Sequence, residues 1–394
     1  MNPVQTNHTC HVCAAPVSDL LYESEAGQSL TSLCQVREGR TRVYACRACG
    51  HLQTPEMPDA AAYYESDYGI LVNSEEEDQI YDMHPVHGTT YRTQHQARTL
   101  LAKLNLPAGA RLLDYGCAKS STMKLLAQQR PDLQPHLFDV SARYQPFWAR
   151  FLTPDRWAVH EVPDHWQGHF DVVTSFFSLE HMVQPRQSIQ QIAQLIRPGG
   201  TFYAIVPNAL TNVSDVIVLD HVNHFSVPSL QVLLADAGLE VVEIDDQAHR
   251  GAFVVVARRV ASAFDRQSPL HRQAIADVLD RFHTIGAFWQ RAASQVRAFE
   301  QRLEADQPVV IYGAGVYGAF LVSCLQHPQR VRCHLDQNPF LHGQQVNGRP
   351  IVPPADLPGD AVAVLVGLNP AHARRIISDV PALRGLSIPF FFLD

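Results

Sequence analysis

Between Arg111 and Arg259 the sequence alternates short apolar segments with segments of helical pattern, and this alternation limits the possible folds more than any other feature. The apolar segments include RLLDYG, FDVVTSFFSL and TFYAIVPN, and the helical segments include STMKLLAQQ and RQSIQQIAQLI. Such alternation predicts an α/β fold with a mainly parallel sheet covered by helices on both faces. The last two apolar segments, LEVVEID and AFVVVARR, have no helix between them, so we expect an antiparallel edge pair there.

The chain is long enough for several domains, because 394 residues exceed what one ordinary core organises. Four regions are predicted: a cysteine-rich module in residues 1–60, the sheet domain in residues 61–260, a helical connector in residues 261–306, and a second βαβ domain in residues 307–394. The polar, tyrosine-rich stretch at the start of the sheet domain predicts a lid or entry helices.

Charge and cysteine usage narrow the classes of function. The formal net charge of −8 argues against DNA or RNA as the main partner, because nucleic-acid binding relies on lysine and arginine. The first residues lack the basic start and apolar core of a signal peptide, so we expect a cytoplasmic protein without a membrane partner. Its eight cysteines are then not a disulfide framework.

Two CxxC pairs, Cys10 with Cys13 and Cys46 with Cys49, have the spacing of zinc knuckles. Together they predict a structural Zn²⁺ site, because four thiolates close the tetrahedral shell and leave no position for substrate. Cys34, His11 and His51 are competing ligands, and free cysteines in a reducing cell are the alternative.

The turn after the first strand of the sheet has the composition of a cofactor-binding loop. The strand ends at Asp114, and the small residues Gly116 and Ala118 follow before a helix begins. Small residues there let the backbone approach a ligand closely. About twenty residues on, Asp139 ends a second strand, where one carboxylate can accept both hydroxyls of a ribose.

These segments resemble the motifs of class I S-adenosylmethionine (SAM) dependent methyltransferases, and the resemblance covers nearly the whole sheet domain. It continues through FDVV, the SLEH segment that contains Ser178 and His181, LIRPGG and VPN. The fold class expected is therefore α/β with a class I SAM methyltransferase Rossmann-like sheet, an N-terminal zinc-binding module and a C-terminal second Rossmann-like domain. The resemblance implies that SAM is bound by seven residues: Asp114, Gly116, Ala118, Ser120, Asp139, Ser178 and His181. Ser120 departs from the family, which usually has glycine at the end of the turn.

The order of the four regions is similar to that of the zinc-containing sugar C-methyltransferases of deoxysugar pathways, which act on nucleotide-linked 4-keto-deoxyhexoses. The resemblance implies an enolate mechanism in which His221 is the base and Asp220 the acidic partner. The family's tyrosine is replaced by Val218. Tyr68, His224 and His249 are the substrate-lining residues expected in the sheet domain.

Three alternatives remain open at this stage. The HxxHFS element around His224 also occurs in small-molecule methyltransferases, where it docks the last helix. Methylation of a sugar oxygen needs only a base for a hydroxyl proton. A non-catalytic assembly or sensor protein with a decayed SAM site is the third alternative, and Ser120 is its support.

The C-terminal domain carries a complete dinucleotide-binding fingerprint, in which Gly313, Gly315 and Gly318 follow a strand and open a helix, and Asp336 ends the next strand. These four residues are predicted to bind the substrate, because such a turn can hold the pyrophosphate of a nucleotide sugar. Bound NAD(P) and an empty structural Rossmann fold are the alternatives.

Overall fold

The computed structural model describes residues 8–25, 27–64, 68–84, 88–260, 272–304 and 306–394. They group into two compact units that interleave along the chain. Unit 1 consists of the described parts of Met1–Asp19, Ala45–Asn212 and Val222–Leu279, and unit 2 of those of Leu20–Tyr44, Val213–His221 and Asp280–Asp394.

The strands are, in chain order, β1 (His8–Thr9), β2 (Pro16–Val17), β3 (Asp19–Glu23), β4 (Gln28–Leu30), β5 (Val36–Glu38), β6 (Arg42–Ala45), β7 (Leu52–Gln53), β8 (Ile80–His84), β9 (Gly88–Tyr91), β10 (Arg111–Tyr115), β11 (Gln134–Asp139), β12 (Trp157–Val159), β13 (Phe170–Phe176), β14 (Ile196–Pro207), β15 (Asn223–His224), β16 (Leu239–Asp245), β17 (Ala252–Arg259), β18 (Val309–Tyr312), β19 (Val331–Leu335), β20 (Gln345–Val346), β21 (Arg349–Val352), β22 (Ala363–Val366) and β23 (Phe390–Phe392). The helices are α1 (Ala60–Ala62), α2 (Arg92–Lys103), α3 (Ser121–Gln129), α4 (Gln145–Trp148), α5 (Pro185–Leu195), α6 (Val227–Asp236), α7 (Arg272–Glu300), α8 (Val316–Cys324) and α9 (Pro370–Asp379). None of the helices in the described ranges is long and apolar enough to cross a membrane.

Unit 1 is built on a seven-stranded sheet with the order β12-β11-β10-β13-β14-β17-β16. The first five strands are parallel, and β17 pairs antiparallel with both β14 and β16. The predicted parallel sheet with an antiparallel pair at its end is confirmed. Its parallel strands are buried on both faces, which explains why β10 and β14 read as nearly continuous apolar runs.

The segment ahead of the sheet differs in part from its prediction. A lid or entry helices were predicted there, and the described part contains the three-residue helix α1, the antiparallel hairpin of β8 and β9, and helix α2. The acidic stretch at Glu75 is bound to the sheet domain: Lys119 Nζ donates to the carbonyls of Ser74, Glu75 and Glu77 over 3.1, 3.2 and 2.7 Å. Glu75 also pairs with Lys124.

Unit 2 is built on a six-stranded sheet with the order β20-β21-β19-β18-β22-β23, parallel except for the β20–β21 pair. The predicted second Rossmann-like domain is confirmed. The predicted connector contains the single helix α7, whose residues from Asp280 onward belong to this unit, while residues 261–271 lie outside the described part. Gly286 interrupts its pattern because a Cβ there would lie 2.5 Å from the Leu21 carbonyl oxygen.

The compact units do not follow the four predicted sequence regions. Residues 20–44, from the predicted 1–60 module, belong to unit 2, where β4 and β5 pack against α8. Residues 213–221, from the predicted 61–260 domain, belong to unit 2 as well. There Leu30 forms a parallel bridge to Val218, and Trp289 Nε1 donates to the Val213 carbonyl over 2.8 Å. Local sequence patterns do not show that these two segments belong to unit 2, because packing between residues far apart in the sequence determines it.

Candidate active site

A cavity of about 450 Å³ opens at the carboxyl ends of β10, β11 and β13 in unit 1. All seven residues predicted to bind SAM line it, and so does Tyr68: Asp114, Gly116, Ala118, Ser120, Asp139, Ser178, His181 and Tyr68. Parallel strands bring these residues together because their carboxyl ends lie at one edge of the sheet.

The turn after β10 passes through the left-handed region at Gly116, Ala118 and Ser120, with φ of 72°, 45° and 57°. Glycine is required at the first of these positions, because a Cβ on Gly116 would lie 2.0 Å from Ser178 Oγ. The tight turn therefore brings Ser178, two residues beyond the end of β13, against the Gly116 backbone.

A buried carboxylate explains why serine is acceptable at the third position. Ser120 Oγ donates to Asp114 Oδ2 over 2.8 Å, and Thr174 Oγ1 donates to Asp114 Oδ1 over 3.0 Å. A serine in the left-handed backbone conformation lowers stability by about 1–2 kcal/mol, whereas a hydrogen bond to a charged group raises it by about 1.5–3 kcal/mol. Burial raises the pKa of Asp114 to about 6, against the opposing effect of these two hydrogen bonds. Ser120 thus stabilises this turn.

Asp139 ends β11 and binds the same turn. Its Oδ2 accepts from the Ala118 amide over 2.8 Å, and its Oδ1 accepts from the Ser141 amide over 2.9 Å. Burial raises the pKa of this carboxyl, and the backbone donors oppose that rise. Each carboxylate oxygen has a second lone pair, so the group can still accept hydrogen bonds from a ribose.

His181 lies in the cavity between two tyrosines. Its Nδ1 is 3.2 Å from the Tyr64 hydroxyl, and its Nε2 is 3.5 Å from the Tyr68 hydroxyl. Both tyrosines come from the segment predicted to form a lid. Tyr64 was not identified from the sequence, because nothing in its pattern distinguishes it from its neighbours.

Arg92 was also missed by the sequence analysis. It begins α2, lines the cavity, and lies over the ring of Phe177 with 3.8 Å between Cζ and the ring centroid. Its Nη1 donates to Gln79 Oε1 over 2.6 Å, and no carboxylate in the described ranges forms an ion pair with it. The other lysine or arginine lining the cavity, Lys119, is bound to three carbonyls. An arginine at the first position of a helix was the signal available in the sequence.

Two histidines predicted to line the substrate do not line this cavity. His224 is fully buried, with Nε2 3.2 Å from Thr54 Oγ1. His249 is 4% exposed and packs against Phe177 and Tyr81, and burial lowers its pKa to about 3. Their roles in substrate binding stay predictions.

The four predicted metal ligands form one cluster in unit 1. Cys10 Sγ is 3.7 Å from Cys49 Sγ, and Cys13 Sγ is 3.5 Å from Cys46 Sγ. All four sulfurs lie within 4.8 Å of one another. A zinc ion with Zn–S bonds of about 2.3 Å holds its ligands about 3.8 Å apart, so the donor set and its spacing fit tetrahedral zinc.

The competing ligands do not belong to this cluster. His11 Nδ1 and His51 Nε2 instead approach Asn223 Oδ1, at 3.1 and 3.2 Å, and Cys34 belongs to unit 2. Asn223 was not identified as functional from the sequence.

The predicted base and acid both lie in unit 2. Asp220 accepts from the amide and hydroxyl of Ser32, over 2.7 and 2.6 Å. Asp215 lies beside His221, with its Oδ1 2.6 Å from Nδ1. Asp215 is fully buried and lies six residues before His221. Asp215 was not identified from the sequence, because the resemblance to the sugar C-methyltransferases gave the acidic role to Asp220.

The predicted nucleotide turn of unit 2 has the expected geometry. A Cβ on Gly313 would lie 2.4 Å from the Gly367 carbonyl, and one on Gly318 would lie 2.1 Å from the Gly313 carbonyl, so both positions require glycine. Asp336 Oδ2 accepts from the Ala314 amide over 2.9 Å. Gly315 has open space where a Cβ would be.

Comparison with known proteins relates most of the seven-stranded sheet of unit 1 to methyltransferases. Residues 89–244 match the family model described as methyltransferase domain. The chain is 25% identical over 214 residues to the C-methyltransferase NovU of Streptomyces niveus, covering 50% of this chain and 51% of the relative. It is 36% identical over 103 residues to a ubiquinone biosynthesis O-methyltransferase of Xanthomonas axonopodis pv. citri (strain 306), covering 25% of this chain and 43% of the relative.

Solved structures resemble part of the chain as well. A SAM dependent methyltransferase from Aquifex aeolicus is 17% identical, with a TM-score of 0.35, and the match covers 42% of this chain and 89% of that one. The chain spans about half the length of the curated relatives named above. The family match covers strands β10 to β14 of the large sheet, whose fold is that of class I SAM methyltransferases.

Proposed function

We propose that the chain is a SAM-dependent methyltransferase that acts on a nucleotide-linked keto-deoxysugar and methylates a carbon through an enolate, with His221 as the base. The observation that carries this proposal is the pair of His221 and Asp215. A buried carboxylate that accepts from Nδ1 fixes the tautomer of the ring and leaves Nε2 to take a proton. The same compact unit contains the Gly313–Gly318 turn, which suits a nucleotide.

SAM would occupy the cavity of unit 1. Asp139 would accept from the ribose hydroxyls, and the turn at Gly116 would let the backbone approach the methionine part. The carboxylate of SAM needs a cationic partner, and Arg92 has guanidinium N–H groups in the cavity beyond the one bound to Gln79. We therefore assign the amino-acid end of SAM to Arg92.

The nucleotide sugar would bind through unit 2. The amide groups at the start of α8 have no partners within the helix and attract a pyrophosphate, and the open space at Gly315 lets the phosphates approach. Asp336 would accept from the sugar of the nucleoside, as Asp139 would for SAM.

The chemistry follows from these residues. His221 takes the proton from the carbon next to the ketone, and the C–H electron pair forms the enolate. The enolate carbon then attacks the sulfonium methyl group while the C–S bond breaks and S-adenosylhomocysteine leaves. Asp215 stabilises the imidazolium that forms on His221.

We also propose that the four cysteines hold a structural zinc ion. Four thiolates would close its coordination shell, so no substrate reaches the metal. The ion would fix the fold of the module formed by the two knuckles.

The second candidate is an O-methyltransferase of a sugar or polysaccharide precursor. Its support is the 36% identity to ubiquinone biosynthesis O-methyltransferases over about a quarter of the chain. In that reaction His221 would take a hydroxyl proton and no enolate would form.

Solvent deuterium exchange separates the two candidates. The protein is incubated in D₂O with S-adenosylhomocysteine and thymidine-diphosphate-4-keto-6-deoxyglucose, and exchange next to the ketone is followed by NMR. C-methylation predicts exchange that His221→Asn abolishes. Methyl transfer to oxygen without any exchange would establish the second candidate instead, and zinc-loaded protein that does not bind SAM would favour a non-catalytic role.

A further inference from the structure

The side chain of Asn223 joins two parts of unit 1 that are far apart in the sequence. Its Oδ1 is 3.1 Å from His11 Nδ1 and 3.2 Å from His51 Nε2. Its Nδ2 donates to the carbonyls of Leu179 and Met182, over 3.2 and 2.7 Å. Asn223 is 1% exposed. All four hydrogen-bonding positions of this buried amide are used, which fixes its orientation.

Both histidines belong to the metal knuckles. His11 stands between Cys10 and Cys13, and His51 follows Cys49 by two residues. His51 is fully buried, and its Nε2 donates to Oδ1 of Asn223, because an amide oxygen can only accept. The positions of the two donors therefore depend on the folded knuckles.

The two carbonyls belong to the loop that carries His181 into the cavity. Leu179 and Met182 bracket the loop, and Ser178, His181 and Met182 line the cavity. The loop is a single 3₁₀ turn, and such a short turn has few backbone hydrogen bonds of its own. Its conformation therefore depends on partners outside it.

We propose that Asn223 is the positioning residue through which the four-cysteine metal module holds the His181 loop, so that metal occupancy controls the affinity for SAM. This inference rests on the proposed function, because it takes SAM as the ligand of the cavity. Loss of the metal releases the two histidines, the amide of Asn223 loses its orientation, and the loop then leaves its cavity-lining conformation.

The matched variants are Asn223→Asp and Asn105→Asp. The first keeps oxygen acceptors for both histidines but removes the Nδ2 donors to the loop. The second makes the same chemical change at an exposed residue of the same unit. Zinc content per chain and the urea unfolding curve show whether each variant is folded and metal-loaded.

Titration calorimetry with S-adenosylhomocysteine, with zinc and after chelation, tests the coupling. We expect chelation to weaken binding about tenfold in the wild type, since two hydrogen bonds to the loop are lost. Asn223→Asp should show the same loss with zinc present and little further loss after chelation, and Asn105→Asp should behave as the wild type does. Equal effects of chelation in the wild type and Asn223→Asp would overturn the proposal.

Hydrogen exchange of the peptide that spans residues 178–184 gives a second readout that does not depend on ligand affinity. Faster exchange is expected in zinc-loaded Asn223→Asp and in the zinc-free wild type. Unchanged exchange in a folded, zinc-loaded Asn223→Asp would overturn the proposal by itself. If the zinc-loaded wild type fails to bind S-adenosylhomocysteine while the exchange pattern is as expected, the proposed function fails and the contact between module and loop stands.

Discussion

The two glycine-rich turns of the molecule share a backbone construction. In unit 1 the Gly116 amide donates to the Phe138 carbonyl over 2.8 Å, and in unit 2 the Gly313 amide donates to the Leu335 carbonyl over 2.7 Å. In both cases the turn leaves the central strand of a parallel sheet and is tied to the neighbouring strand. A βαβ unit needs this connection whatever it binds.

The acid that ends the neighbouring strand also has the same role in both turns. Asp139 accepts from the Ala118 amide, and Asp336 accepts from the Ala314 amide, over 2.8 and 2.9 Å. Each carboxylate also accepts from the backbone amide two residues further on. The acids therefore organise the turn before any ligand arrives.

The side chains around the two turns differ. Two residues before the first glycine, unit 1 has the buried carboxylate of Asp114, and unit 2 has Ile311. Five residues after that glycine, unit 1 has Ser121, and unit 2 has Gly318, which lies against the Gly313 carbonyl. The comparison shows that the backbone of a glycine-rich turn is general, while its side chains determine which ligand it suits.

The largest expected effect is steric and confined to unit 2. Gly318→Ala places a Cβ 2.1 Å from a backbone oxygen that cannot move aside, so we expect it to lower the free energy of unfolding by at least about 3 kcal/mol. Gly315→Ala, where the space is open, should cost less than about 1 kcal/mol. Urea unfolding measures both. Equal losses in the two variants would show that the turn relaxes and that glycine is not required at position 318.

The second effect is a pH dependence of the free energy of unfolding that arises from the turn of unit 1 and not from that of unit 2. The pKa of Asp114 is raised to about 6, so the folded protein holds a proton between about pH 4 and pH 6 that the unfolded chain has lost. The free energy of unfolding therefore falls as the pH rises through this range. Asp114→Asn cannot titrate, and its stability relative to the wild type should rise by up to about 3 kcal/mol between about pH 4 and pH 7.

The matched change in the other turn is Ile311→Val. It should alter the free energy of unfolding equally at every pH, because no titratable group is involved. Urea unfolding across the range measures both variants. A constant difference between Asp114→Asn and the wild type would contradict the raised pKa.

The third effect concerns ligand affinity and tests whether Asp139 and Asp336 bind different ligands. Asp139→Ala should weaken SAM binding by about 10- to 100-fold, because hydrogen bonds to an ionised acceptor are worth about 1.5–3 kcal/mol. Asp336→Ala should leave SAM affinity within about twofold and weaken binding of thymidine diphosphate. Calorimetry with each ligand tests which acid binds which ligand. An equal loss of SAM affinity in the two variants would contradict this assignment.

The smallest effect concerns Ser120. Ser120→Gly relieves the left-handed backbone but removes the donor to Asp114, so we expect a net loss of stability of about 1 kcal/mol. The pKa of Asp114 should rise further, since the lost hydrogen bond lowers it. Unfolding at neutral pH measures the first change. A gain in stability would mean that backbone strain exceeds the hydrogen bond in this turn.

Much of the fold was determined locally and could be predicted. Alternation of β-branched segments with helical patterns specifies parallel sheets, because a strand and its crossover helix are both short-range features. The glycine positions and the acids that end the second strands were predicted for the same reason. The four cysteines were identified because a knuckle is a local motif.

The tertiary structure alone decided which residues from distant segments meet. Asp215 lies against His221, and Ser32, almost two hundred residues away in the sequence, binds the carboxylate of Asp220. Arg92 is in the cavity because α2 begins there, and Asn223 links the two CxxC knuckles to the His181 loop through four hydrogen bonds. The sequence by itself determined the elements and their turns, since these depend on neighbours along the chain. The pairing of side chains depends on packing between elements, which no local pattern encodes.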